Sequence, residues 1–130
     1  MDEQPSPAQV ARAAMTAVQT GQRDAWLALF TADTRVEDPV GHLPPIAGRA
    51  ALAQFWDGAI SALASVSFDV TREWETGEEA MLLATVTIAT AARASASYDG
   101  AFNYVIDGDG KIASLRAFWD LPAVGAALAG

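Results

Sequence analysis

Val36-Glu37-Asp38-Pro39-Val40-Gly41 sets an acidic residue at the end of a short strand pattern and a proline directly after it. Proline pushes the residue before it toward extended backbone and cannot donate to a ladder. The strand is therefore expected to stop here, with Asp38 at its lip. Alternate side chains of a strand share a face, so Val36, Asp38 and Val40 are expected to point one way and Glu37 the other. If Val36 faces the core, Asp38 does too. A carboxylate aimed into an apolar interior is costly unless it is paired or has a chemical task. Asp38 is the first candidate for a general base.

Upstream of this stretch the pattern is helical. Ser6 reads as an N-cap, Pro7 as the first helical residue and Gln9 as the partner in a capping box. That helix is expected to run through Val10, Ala14 and Val18 and to stop at Gly21. Asp24 followed by Trp26, Leu27, Leu29 and Phe30 at helical spacing predicts a second helix. Downstream, Leu43-Pro44-Pro45 is a loop, and Gly48-Arg49 leads a third helix carrying Leu52, Phe55, Trp56, Ile60 and Leu63 on one side. The period then changes. Val66, Phe68 and Val70 alternate, and Met81 to Thr90 is rich in β-branched residues. Ser97–Ile106 and Lys111–Trp119 form another strand pair, joined by the hairpin turn Asp107-Gly108-Asp109-Gly110. Helices followed by an antiparallel meander give an α+β order. A strongly curved antiparallel sheet wrapped around about three N-terminal helices would enclose a conical pocket, the natural seat for a ligand.

Composition narrows the function. The 130 residues are expected to form one domain, 1–130, with 52% apolar and 18% charged residues. A net charge of −8 disfavours nucleic acid and anionic membrane surfaces as partners. Cysteine is absent, which removes thiolate chemistry and disulfides and suggests a reducing compartment. His42 is the lone histidine and argues against a zinc site. The acidic, polar start Met1-Asp2-Glu3-Gln4-Pro5 is unlike a signal peptide. No apolar run approaches the ~20 residues that span a bilayer. A soluble, cytoplasmic protein is expected.

Val36-Glu37-Asp38-Pro39-Val40-Gly41, Pro44-Pro45-Ile46-Ala47-Gly48-Arg49, Phe55-Trp56 and the hairpin leading to Arg116-Ala117-Phe118-Trp119 together resemble the bacterial Δ5-3-ketosteroid isomerases. These belong to the nuclear transport factor 2-like superfamily, which also holds the SnoaL-like polyketide cyclases. The resemblance covers nearly the whole chain in order and is weakest from Val66 to Ala96. It implies a cystatin-like cone fold, a homodimer formed through the open sheet face, no cofactor and no metal. It also implies a small apolar, steroid-like ligand in a pocket lined by Ala14, Phe30, Val40, Phe55, Trp56, Tyr98, Phe102, Tyr104 and Trp119. In such isomerases an Asp base moves a proton while a Tyr and a protonated Asp meet the charge that develops on oxygen.

The base carries over to Asp38, but the two donors do not. Counting back seven residues from Gly21 puts the family's Tyr position at Ala14, and counting back eight from Gly110 puts its Asp position at Phe102. Two supporting tyrosines of some members correspond to Phe30 and Trp56. Asp99 is an odd three residues from Phe102, so without a bulge it faces the other side of the sheet. Losing one oxyanion donor typically costs about 10²–10³ in rate. Trp56, Trp119, Tyr98 and Tyr104 are the substitutes available, with Tyr98 and Tyr104 at even offsets from Phe102.

Several other signals have plain structural readings. Trp26 suits core packing, His42 a solvated loop near a potential lid, and Arg72, Arg93 and Arg116 solvated strand faces. The absence of an Arg-x-Asp pair disfavours the superfamily's epoxide-hydrolase chemistry, and one histidine is too few for chemistry of the scytalone dehydratase type. Phe102 likewise disfavours a SnoaL-like cyclase acid/base. Two functional classes remain. One is a steroid Δ-isomerase-like enzyme with Asp38 as base and a rewired oxyanion site. The other is a non-catalytic protein that binds a steroid or another apolar ligand.

Overall fold

The structure is a computed structural model that describes residues 4–129. Met1-Asp2-Glu3, part of the stretch expected to be unlike a signal peptide, lie outside them, as does Gly130.

Helix α1 (Pro7–Gln19) begins with the expected capping box: the Gln9 amide donates to Ser6 Oγ (3.2 Å) and the Ser6 amide to Gln9 Oε1 (2.8 Å). Its buried face is Ala8, Val10, Ala11, Ala14, Met15 and Ala17. Four alanines on that face let the helix lie close on the sheet. Polar ties fix its direction there. The Ala8 amide donates to Glu75 at one end, and at the other Gln19 Oε1 accepts from the Phe68 amide.

Helix α2 (Arg23–Leu27) is a single short turn, and here the sequence expectation needs correction. Phe30 opens strand β1 (Phe30–Glu37) instead of closing the helix. Trp26, Leu27, Leu29 and Phe30 fit either pattern locally. The tertiary partner decides: Phe30 pairs with Ile112, and the Ile112 amide bonds the Leu29 carbonyl at 2.8 Å. After the two-residue strand β2 (Ile46–Ala47) comes helix α3 (Arg49–Phe55), which passes into one π-helical turn at Trp56–Ile60. Leu63 does not belong to that helix; it starts strand β3 (Leu63–Thr76) opposite Thr90.

Strands β4 (Glu79–Thr90), β5 (Ser95–Ile106) and β6 (Ile112–Phe118) complete a six-stranded sheet in the order β2-β1-β6-β5-β4-β3. The fold is α+β, with a curved, unclosed sheet over the helices. It is mixed rather than wholly antiparallel, because β1 and β6 run parallel. The chain crosses from β1 to the far edge before starting β3. Three reversals then bring β6 back beside β1 in the same direction. A C-terminal helix, α4 (Leu121–Ala129), was hidden by its alanines. Its start signal is nevertheless present: Asp120 caps it, accepting from the Ala123 amide at 3.0 Å, and Pro122 sits in the first turn. The core lies between the helices and the concave face, built on Trp26, Phe30, Leu52, Leu82 and Ile112. No helix is long and apolar enough to cross a membrane.

Candidate functional site

Strand β1 ends at Glu37, two residues before Pro39, in keeping with proline's inability to donate to a ladder. Glu37 pairs with Arg116 of β6 and is the last residue in register. Its side chain lies on the outer face, 3.2 Å from Arg116 and 3.8 Å from Arg35. Asp38 takes the opposite side with the buried Val36 and enters a cavity under the cone. Val40 departs from the expected alternation. Residues 38–40 form a turn, and the Val40 amide donates to the Ala117 carbonyl at 2.9 Å. Once the ladder stops, period two stops with it.

The cavity holds about 270 Å³. Helix α1 contributes Ala14, Met15 and Val18; the sheet contributes Val66, Phe68, Val86, Ile88, Phe102 and Leu115. Phe55, Ala59, Ile60 and Leu43 close its sides, with Leu43 45% exposed at the rim. Asp38 is the lone carboxylic acid in this wall. The Trp119 indole N–H donates to Asp38 Oδ1 at 2.6 Å. Burial pushes the Asp38 carboxyl above the usual carboxylate range, and the bond from Trp119 opposes that shift. Trp119 also stacks on Tyr98, with ring centroids 5.2 Å apart and planes tilted by 33°.

Tyr98 and Tyr104 both open on the cavity. The Tyr98 phenol is pushed up to about 12 by burial and by the Asp38 charge. Tyr104 is raised by the same two causes. Both stay protonated and are available as donors. Asp99 stands on the other face, as its odd offset implies, accepting from Thr85 Oγ1 at 2.8 Å.

Of the residues expected to line a pocket, Ala14, Phe55, Tyr98, Phe102, Tyr104 and Trp119 meet Asp38 around this cavity. Phe30, Val40 and Trp56 do not line it. Phe30 and Trp56 are buried against Trp26, with centroids 4.9 and 5.2 Å away. Trp26, expected as packing, reaches the cavity wall as well. Val66, Phe68, Val86 and Ile88 were missing from the expected lining, although their even spacing puts each pair on one strand face. No group of His, Cys, Asp and Glu suited to a metal ion is present among the described residues. The chemistry available is that of one carboxylate, one indole N–H on that carboxylate, and two phenols in an apolar slot.

Residues 11–115 match the SnoaL-like domain family. Among curated proteins, none matches the chain. Solved structures that are similar include the Δ5-3-ketosteroid isomerase from Mycobacterium sp., at 28% identity and TM-score 0.84, over 92% of this chain and 97% of that one. RV0760c from Mycobacterium tuberculosis, in complex with estradiol-17beta-hemisuccinate, is 24% identical with TM-score 0.83, over 91% and 97% of the two chains. A computationally designed 17-OHP binder gives 24% identity and TM-score 0.83, over 91% and 96%.

Proposed function

The chain belongs to the SnoaL-like domain family, and we propose that it takes a flat apolar ketone of steroid type and moves a proton beside the carbonyl, with Asp38 as general base. The observation that carries this is a single carboxylate, held by Trp119, in a cavity otherwise walled by apolar and aromatic groups. The similarity to an isomerase named for a ketosteroid and to two steroid complexes or binders supports the ligand class.

In this reading Asp38 removes a proton from the carbon between the carbonyl and the double bond. The C–H electron pair moves toward the carbonyl oxygen, leaving a dienolate. Protonated Asp38 then returns the proton to the far end of the dienolate, and the double bond comes into conjugation. The base ends as it began. Burial raises the carboxyl and so makes it a stronger base. Trp119 keeps the carboxylate aimed; its indole N–H donates a hydrogen bond but does not transfer its proton.

The test is conversion of a Δ5- to a Δ4-3-ketosteroid, read as appearance of the conjugated enone, by the wild type and by Asp38→Asn. Loss in the variant supports the base. An inactive wild type that still binds steroid supports the second reading, a non-catalytic steroid-binding protein. Ala14 and Phe102, standing where the resemblance implies donors, favour that second reading.

We extend the proposal to assembly and location. Residues 1–130 act as one domain in the cytoplasm and pair as a homodimer through the outer sheet face. Trp74 and Phe118 stand exposed on the sheet, each under an arginine. Light scattering of wild type and Phe118→Glu tests the pairing, which a monomeric wild type would exclude.

A further inference from the structure

We infer that the Tyr104 hydroxyl is the catalytic donor that meets the ligand's oxygen. This rests on the proposed proton transfer and supplies the group that the reading above lacks.

Tyr104 is 3% exposed, yet none of the hydrogen bonds among the described residues involves its hydroxyl. A buried hydroxyl without a partner is costly. The hydroxyl is not sealed in packing either. The side-chain atom shut away without a partner among the described residues is Thr31 Oγ1, whereas Tyr104 opens on the cavity. A phenol so placed is satisfied by whatever fills the cavity.

Register puts it at a useful distance. Glu37 pairs with Arg116, so Asp38 lies beside Ala117, and Ala117 pairs with Phe102. Asp38 and Phe102 thus share a row across the sheet, two strands or about 10 Å apart at the backbone. Tyr104 is the next inward residue of β5, about 7 Å along the strand from Phe102. Tyr98 is four residues the other way, about 13 Å from Phe102. There it is half-buried and stacked on Trp119.

The two phenols occupy different ends. Tyr104 pairs with Ala80, toward the end of the sheet where Glu75 holds the start of α1. Tyr98 pairs with Val86, whose own partner is Phe68, beneath the last turn of α1. Asp38 sits between the rows, and its charge is felt by both. A ketone seated with its oxygen at the buried end meets Tyr104 while its neighbouring carbon faces Asp38.

Side-chain sizes agree. Ala8, Ala11, Ala14 and Ala17 face the sheet from α1, while β5 answers with Phe102 and Tyr104. With Ala14 so small, the space between helix and strand is left for a phenol rooted in the strand.

The test uses androst-4-ene-3,17-dione as probe, with its absorption and the two tyrosine ¹³Cζ signals as readouts. A hydrogen bond to the conjugated carbonyl moves its absorption to longer wavelength. The chain has only two tyrosines, so labelled tyrosine gives two signals, assigned with Tyr98→Phe and Tyr104→Phe. The expected result is a red shift on binding, a larger movement of the Tyr104 signal, and loss of the shift in Tyr104→Phe. Affinity should fall about 3- to 10-fold and isomerisation about 10²-fold. The NMR readout on wild type stands even if Tyr104→Phe folds poorly. A red shift that survives in Tyr104→Phe, or tracks Tyr98 instead, overturns this inference and leaves Asp38 as base intact. Steroid bound without isomerisation, with the Tyr104 signal moved, overturns the enzymatic reading and with it the catalytic part of this one. No binding by wild type overturns both.

Discussion

The two faces of one sheet treat the same chemistry in opposite ways. On the concave face, Val66, Phe68, Val86, Ile88, Phe102 and Tyr104 leave Asp38 as the one acid in the cavity wall, and burial raises its carboxyl. On the outer face, residues one position away along the same strands carry polar pairs. Thr85 bonds Asp99, Thr87 meets Ser97 at 3.0 Å, and Arg116 reaches both Glu37 and the Phe118 ring. Asp38 and Asp99 are the same residue type. Strand alternation places one under the cone and the other in solvent, and that placement alone separates a candidate base from a surface polar group.

The sharpest way to break this contrast is to neutralise each acid in turn. Asp38→Asn should lower isomerisation by about 10²–10⁴, the usual worth of a positioned base. Asp99→Asn should leave the rate unchanged. Equal losses in the enone assay would mean that the faces do not differ as described.

Stability offers the next comparison. Phe102→Ala should cost about 3–5 kcal/mol in urea unfolding, since it opens a void beside Phe68, whose ring lies 6.0 Å away edge to face. Phe118→Ala, on the exposed side with only a cation–π contact to lose, should cost about 1 kcal/mol or less in the free protein. Comparable costs would place the two rings in similar surroundings.

A pH series sharpens the comparison further. The folded Asp38 carboxyl titrates above its ordinary range, so its proton is held more tightly folded than unfolded. Its contribution to stability is therefore full below the ordinary carboxylate range and is lost as pH rises through the folded value. Activity runs the other way, rising over that same window as the base ionises. Asp38→Asn should flatten the stability contribution and raise the melting temperature at neutral pH. A variant that melts lower there would show that the charged form is favoured by the fold.

The smallest effect belongs to the outer polar ladder. Thr85→Val removes the bond to Asp99 and should change stability by about 0.5 kcal/mol or less, because both groups are solvated. A larger change would mean that this face is covered in solution, in line with the proposed homodimer.

Much of the site could be read along the chain because it follows from local rules. Pro39 stops β1 and period two turns Asp38 inward with Val36. The even offsets of Tyr98 and Tyr104 from Phe102 put three side chains on one face, and Asp99 on the other. Local rules failed where a partner strand had to choose. Phe30 fits a helix face as well as a strand, and pairing with Ile112 made it a strand. Val40 fits the alternation only while a ladder exists to impose it. Trp56 and Phe30 pack on Trp26, which lines the cavity in their place, and no spacing rule foretells that.

Local sequence alone set the capped first helix, the end of β1, the terminal hairpin and the inward aim of Asp38. Each depends on residues a few positions apart and on backbone restrictions those residues carry. Tertiary structure alone decided the parallel pairing of β1 with β6, the bond from Trp119 to Asp38 and the opposite ends given to Tyr98 and Tyr104. These contacts join residues from 12 positions apart (Val86 with Tyr98) to 82 apart (Phe30 with Ile112). They follow from how the curved sheet closes over α1, a matter of long-range packing that local pattern does not encode.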